Sequence, residues 1–234
     1  MLPLRDDIPS RTFPVVTLMI VLLNGLVFFY ELSLGRQLEY LLIDWAIVPL
    51  RYTNHDVARH FTIFEQAKPF LTSMFLHGGW LHLIGNMWTL WIFGDNVEDR
   101  LGHRRFLGLY LLSGFAAGLV HIFTNVNSEL PTIGASGAVA GIMGAYFRFF
   151  PHTRVEMVIP PLFFGPVFVV PAVIFLGWWI LLQFFNGTVS LVASRADFGG
   201  VAWWAHVGGF VFGMLVVLFA PRRRNVVRYD YDDR

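Results

Sequence analysis

Gly134-Ala-Ser136-Gly137-Ala-Val-Ala-Gly141-Ile-Met-Gly-Ala-Tyr-Phe-Arg148 is an apolar run of small residues with one hydroxyl near its start and no charge before its end. Read as a helix, it carries Gly137 and Gly141 on one face, and a Gly-xxx-Gly face lets a second helix approach closely. A lone Ser in such a helix would mean little, because it usually bonds back to its own backbone. The run is not the nucleophile elbow of soluble hydrolases, since that motif needs Gly where Ala138 stands.

The rest of the chain is built from similar material. Of 234 residues, 56% are hydrophobic and 14% charged, with a mean hydropathy of +0.58. A soluble domain carries about 25% charge, so this chain lacks the polar surface to coat itself in water. The 24 Phe and 8 Trp add rings of the kind that sit at lipid interfaces. A soluble enzyme and a disordered chain are both excluded; the lipid bilayer is the partner this composition demands. A net charge of +1 argues against a nucleic-acid partner. With no Cys, disulfides, a thiol nucleophile and a thiolate metal site are ruled out.

Six stretches are long and apolar enough to span, at 14–31, 70–93, 106–124, 134–150, 166–185 and 201–220, given that a crossing needs about 20 residues. Strand periodicity is absent, so the expected fold is an all-α membrane bundle of six transmembrane helices. The first stretch reads as an uncleaved signal anchor. With the N-terminus cytoplasmic, 12 of the 17 basic residues fall inside, which satisfies the positive-inside rule. Both termini are then cytoplasmic, and the second, fourth and sixth helices run parallel. The domain layout is a cytoplasmic segment 1–13, a membrane domain 14–220 and a cytoplasmic tail 221–234. The connection 32–69 mixes apolar runs with charges and reads as an ordered, partly embedded outer lobe, with His55 and His60 as solvated loop histidines.

Polar residues inside membrane helices are costly and are functional suspects by default. The second stretch contains His77-Gly-Gly-Trp-Leu-His82-Leu-Ile-Gly-Asn86. His82 and Asn86 share one helical face; they are either polar glue between helices or part of a site. His77, nearer the helix entrance, suits a loop-bracing role. The sixth stretch reads Ala205-His206-Val-Gly-Gly209-Phe-Val-Phe-Gly213, where Gly209 and Gly213 continue a small-residue stripe and His206 projects from it. Two such stripes on parallel helices should pack together and bring Ser136 to His206. Depth agrees: Ser136 lies about 18 Å above Arg148, and His206 about 24 Å above Arg222. His82 and Asn86 lie about 20 and 14 Å above Asp95. One shared depth on three parallel helices indicates one site.

Acyl transfer is the chemistry that fits. A Ser hydroxyl needs a base in hydrogen-bond reach, and the neutral imidazole of His206 can accept its proton. No Asp or Glu lies within the fourth or sixth helix to orient His206, so this is a dyad. Asn86, His82 and the Ser136 backbone N–H at a helix start can serve as oxyanion donors. Metal chemistry fits worse, with no His-Glu-x-x-His and no intramembrane carboxylate to complete a hydrolytic zinc site.

On these residues the chain closely resembles the rhomboid family of intramembrane serine proteases. The resemblance rests on Gly134-Ala-Ser136-Gly137, His77…His82…Asn86, Ala205-His206-Val-Gly-Gly209 and the cytoplasmic turn Phe93-Gly-Asp-Asn-Val-Glu98-Asp-Arg100-Leu-Gly102. It implies Ser136 as nucleophile, His206 as general base, His82 and Asn86 as oxyanion donors, and His77 as a structural neighbour. It also implies transmembrane protein substrates cut near the outer face, with no cofactor. Lateral access would run past the fifth helix (167–185) and the loop 186–200, with Gly187, Gly199 and Gly200 as hinges. Phe163, Phe164 and Phe168 would flank that route, or else simply face lipid. Two departures stand out. Ala140 replaces an aromatic residue that packs on the base in some members, so His206 must be positioned some other way. A Trp-Arg pair of the first loop is also missing, with Asp44-Trp45-Ala46 its nearest counterpart.

The expected protein is therefore a multi-pass serine endopeptidase of a prokaryotic plasma membrane. The alternatives are a catalytically silent relative that binds membrane segments for quality control or trafficking, and a small transporter. A transporter should show repeat symmetry, and no repeat is visible.

Overall fold

The computed structural model describes residues 1–159, 166–192 and 201–220, and the chain is mostly helical. Phe163, Phe164, Gly199, Gly200 and the tail 221–234 lie outside the described residues.

The connection 32–69 is itself helical. Helix α1 (Val15–Leu34) ends at Gly35, whose φ of +52° favours glycine, and is followed by α2 (Leu38–Trp45), α3 (Leu50–Thr53), α4 (His55–Ala58) and α5 (Ile63–Thr72). His55 thus opens a short helix and is not a loop residue. The start of α5 is fixed by a capping box between Thr62 and Glu65, which satisfies two otherwise orphaned N–H groups. Arg51 stitches this lobe together: its guanidinium donates to the Ile43 and Glu65 carbonyls and lies 3.9 Å over the Phe61 ring.

The second apolar stretch is not one helix. It breaks at Leu76–Gly79, and α6 (Trp80–Leu101) starts only after Gly78-Gly79. His77 therefore sits in a connection, outside any helix. At its far end α6 runs on to Leu101, so 93–101 is helix and not a turn. The turn is Gly102 alone, at a φ of +81°, which leads directly into α7 (His103–Thr124). Buried Glu98 near the end of α6 accepts the Val16 and Thr17 N–H groups at 2.8 Å and the Thr17 hydroxyl at 2.7 Å. Helix α1 has no side-chain cap of its own, so Glu98 supplies what its first N–H groups lack.

Helix α8 (Ser136–Phe149) is the centre of the molecule, with Gly137–Tyr146 buried throughout. It packs against α6, α7 and α10 (Trp203–Val216). Backbone meets backbone between α8 and α10. A Cβ on Gly209 would fall 2.0 Å from the Gly137 carbonyl oxygen, and one on Gly213 would fall 1.9 Å from that of Gly141. Helix α9 (Ala172–Val192) packs on this core through buried Ala172, Phe175 and Leu176 and exposes Ile174, Trp178, Leu181, Phe184 and Phe185. Gly187 belongs to this helix and not to a loop.

Strands are present, against expectation. β1 (Leu2–Asp6), β2 (Arg154–Val158) and β3 (Phe168–Pro171) form an antiparallel sheet in the order β1-β2-β3. Leu2 stands opposite Val158 and Asp6 opposite Val155. Arg5 and Glu156 form a bidentate pair across it at 2.9 Å; the pairing raises the Arg5 guanidinium pKa and lowers that of the Glu156 carboxyl. β3 takes the first residues of the stretch assigned to the fifth helix, which begins only after Pro171. Residues long and apolar enough to cross a membrane are Val15–Trp45, His103–Thr124 and Ala172–Leu191 among the described residues. The others fall short for physical reasons. α6 carries Asp95, Glu98, Asp99 and Arg100, and α8 and α10 have 14 residues each.

Candidate active site

The starts of α6, α8 and α10 converge. Gly134, whose N–H donates to the Ser73 carbonyl at 2.8 Å, turns the chain into α8 at a φ of +124°. Ser136 is then the first helical residue, and its N–H has no partner within the helix. Across the glycine contact, the Ser136 Oγ lies 2.8 Å from His206 Nε2. His206 is buried, and its Nδ1 lies 2.8 Å from Gln183 Oε1 on α9. One tautomer satisfies both bonds: the hydroxyl donates to Nε2, and Nδ1–H donates to the amide oxygen. The Trp179 ring lies 5.9 Å from the imidazole at 31°, and Trp203 meets it edge-on at 6.4 Å. With Ala140 in α8, the packing of this ring comes from α9 and α10.

His82 and Asn86 lie beside the same point. A Cβ on Gly134 would fall 2.7 Å from His82 Nε2 and 3.8 Å from Asn86 Nδ2. Asn86 is buried and its Nδ2 donates to His77 Nε2 at 3.1 Å, which leaves the second amide hydrogen for another acceptor. His77 is buried too; its backbone N–H donates to the Glu31 carboxylate at 3.1–3.2 Å, and its ring meets His82 edge-on at 5.1 Å. His77 thus braces Asn86 as well as the connection.

These residues line one cavity of about 920 Å³, with Ser136, His206, His82 and Asn86 in its wall. The cavity continues between α6 and α9 down to Pro3 of β1, whose carbonyl accepts the Trp88 indole N–H at 2.7 Å. Phe93 and Phe175 stack across it at 6.1 Å. Among the described residues no group of His, Asp and Glu could hold a metal ion. A hydroxyl aligned on a ring nitrogen whose other nitrogen is held, with unspent N–H donors nearby, is an arrangement suited to nucleophilic acyl transfer.

Three residues of the site escaped the sequence reading: Gln183, Trp179 and His121. His121 lines the same cavity and pairs with the Thr132 hydroxyl at 2.6 Å. The signal that exposed Asn86, a polar side chain inside an apolar helix, applies equally to Gln183 and His121.

The match to known proteins agrees with this architecture. The family model "Rhomboid domain" matches residues 65–223, well over half of the chain. The chain is similar to Rhomboid protein 1, mitochondrial, of Saccharomyces cerevisiae, at 33% identity over 149 residues, 61% of this chain and 39% of that protein. It is similar to RHOMBOID-like protein 5 of Arabidopsis thaliana, at 40% over 75 residues, 32% of this chain and 24% of that one. Presenilin-associated rhomboid-like protein, mitochondrial, of Homo sapiens matches at 28% over 187 residues, 75% of this chain and 44% of the relative. The chain belongs to the rhomboid family. It spans less than half the length of each of these relatives. The mitochondrial names of two of them do not fit the expectation of a prokaryotic plasma membrane; what stands is the membrane character of the apolar helices.

Proposed function

We propose that this chain is an intramembrane serine endopeptidase that cuts transmembrane segments of other membrane proteins near the outer face. The observation that carries the reading is the 2.8 Å contact between Ser136 Oγ and His206 Nε2, inside a cavity walled by His82 and Asn86. His206 takes the hydroxyl proton on Nε2 as Oγ bonds to the scissile carbonyl carbon. The oxyanion receives N–H donors from Ser136, Asn86 and His82. The intermediate collapses, the C–N bond breaks, and the leaving amine takes the proton from Nε2. Water then gives a proton to His206 and its oxygen to the acyl carbon, and the acid departs as Ser136 regains its hydrogen.

The membrane arrangement proposed with it has six crossings, at α1, α6, α7, α8, α9 and α10, with residues 1–13 and 221–234 on the arginine-rich inner side. Helix α8 is about 21 Å long, shorter than a hydrocarbon core of about 30 Å. Ser136 at its start therefore lies beneath the outer surface, where water and a transmembrane segment can both arrive. Substrate reaches it laterally, between α6 and α9. A fluorophosphonate probe tests the nucleophile: it should label the wild type and leave Ser136→Ala unmarked. Equal labelling of both would remove the assignment. A folded wild type that takes no label would point to a silent relative that binds membrane segments.

A further inference from the structure

Gln183 interrupts the apolar run 172–185 at the start of α9, and it is buried with 7% of its surface exposed. Its two ends are separately committed. Nε2 donates to the Trp179 carbonyl one turn earlier at 3.3 Å, and Oε1 faces His206 Nδ1 at 2.8 Å. The first bond fixes which end of the amide looks at the imidazole, so the group facing the base is an acceptor. An acceptor at Nδ1 holds the proton there and leaves the Nε2 lone pair free for the Ser136 hydroxyl. The opposite tautomer would set N–H against the hydroxyl and leave Nδ1 without a hydrogen to donate. Soluble hydrolases give this position to a carboxylate. Inside a bilayer an ionised carboxylate is costly, whereas a neutral amide presents the same carbonyl acceptor at smaller expense.

We propose that Gln183 is the positioning residue that completes a Ser136–His206–Gln183 relay, so that the base is correctly held only while α9 is docked on α10. The proposal rests on the proteolytic reading for its kinetic consequence and stands apart from it for its structural one. Trp179, one turn from Gln183, covers the imidazole from the same helix, so an outward swing of α9 removes the acceptor and the covering ring together. Access for a substrate and assembly of the base thereby depend on one helix. The relay should form, or re-form, when α9 closes behind the bound segment.

The test uses Gln183→Met, which keeps the length and apolar packing of the side chain but removes the acceptor, and Gln183→Glu, which restores a carbonyl oxygen whether or not it is ionised. In the ¹⁵N-histidine spectrum of the full chain, assigned by loss of the signal in His206→Ala, the wild type should show the Nδ1–H tautomer of His206. Gln183→Met should show a mixture, and Gln183→Glu should return to the wild-type form. Turnover of a transmembrane substrate by Gln183→Met should fall on the order of 10²-fold, with KM within about 2-fold; a buried carboxylate partner is worth about 10⁴ in kcat. Gln183→Glu should recover most of that loss. A merely structural Gln183 would tolerate Met, suffer from Glu and leave the tautomer unchanged; that pattern overturns the proposal. Should the wild type cut nothing, the proteolytic reading fails, and the tautomer alone decides the role of Gln183.

Discussion

The Tyr146 hydroxyl donates to the Asp6 carboxylate at 2.5 Å, tying the strand at the start of the chain to the innermost helix. Asn96 of α6 donates to the same carboxylate at 2.9 Å. Burial raises the Asp6 pKa to about 6, against the opposing effect of the Tyr146 hydrogen bond. A carboxyl that binds its proton more tightly when folded gives stability that is present at low pH and lost as pH rises. Between pH 4 and about 6 the wild type should therefore lose stability relative to Asp6→Asn, with a constant gap above that. Apparent melting temperatures of both proteins from pH 4 to 8 provide the check. A gap that does not vary with pH contradicts the coupling.

Gly134→Ala should disable the site and also cost some stability. The added carbon meets the His82 ring at 2.6–2.7 Å and adopts a φ of +124°, which side chains rarely take. Displacing one oxyanion donor typically costs about 10²–10³ in kcat. Turnover and fluorophosphonate labelling should fall toward the lower end of that range, as for His82→Ala, and wild-type labelling rates would show that His82 has no place in the chemistry.

Helix α6 allows chemistry to be separated from packing. Asn86→Ala should lower kcat by about 10²–10³. Its melting temperature should shift little, since intramembrane hydrogen bonds average about 0.6 kcal/mol. His82→Ala should behave similarly but more weakly. His77→Ala should cost stability more than rate, because the ring is buried and holds Asn86 from behind. Asn86→Ala that unfolds while keeping normal activity per folded molecule would make Asn86 glue.

A chain without cysteine lets the lateral route be locked at one place. Phe93 of α6 and Phe175 of α9 face each other at 6.1 Å, so Phe93→Cys with Phe175→Cys should cross-link the two helices through a short bifunctional reagent. The locked protein should stop cutting a transmembrane substrate yet still react with a small fluorophosphonate. Cleavage at full rate after complete cross-linking would place substrate access elsewhere.

The approach of α8 to α10 could be read from residues alone, because glycines four apart leave no side chain between two backbones. That spacing identifies which faces meet, and with them Ser136 and His206. Gln183 is visible as a polar residue in an apolar run, but its partner depends on how α9 is turned about its axis, and the run 172–182, apolar on every side, does not encode that rotation. The break at Gly78-Gly79 was hidden because hydropathy averages over two glycines within an apolar stretch. β3 was hidden for a related reason, since a short apolar run reads equally as strand or helix. β1 pairs with residues about 150 positions away, and no local pattern announces so distant a partner.

The central claim is that Ser136, activated by His206, cuts peptide bonds within the membrane. The most direct measurement is incubation of the purified full chain in detergent with a model type I membrane substrate, beside Ser136→Ala. The account predicts a single discrete cleavage near the outer end of the substrate's transmembrane segment by the wild type and none by the variant. Cleavage that persists in Ser136→Ala, or a folded wild type that leaves every transmembrane substrate intact, would contradict it.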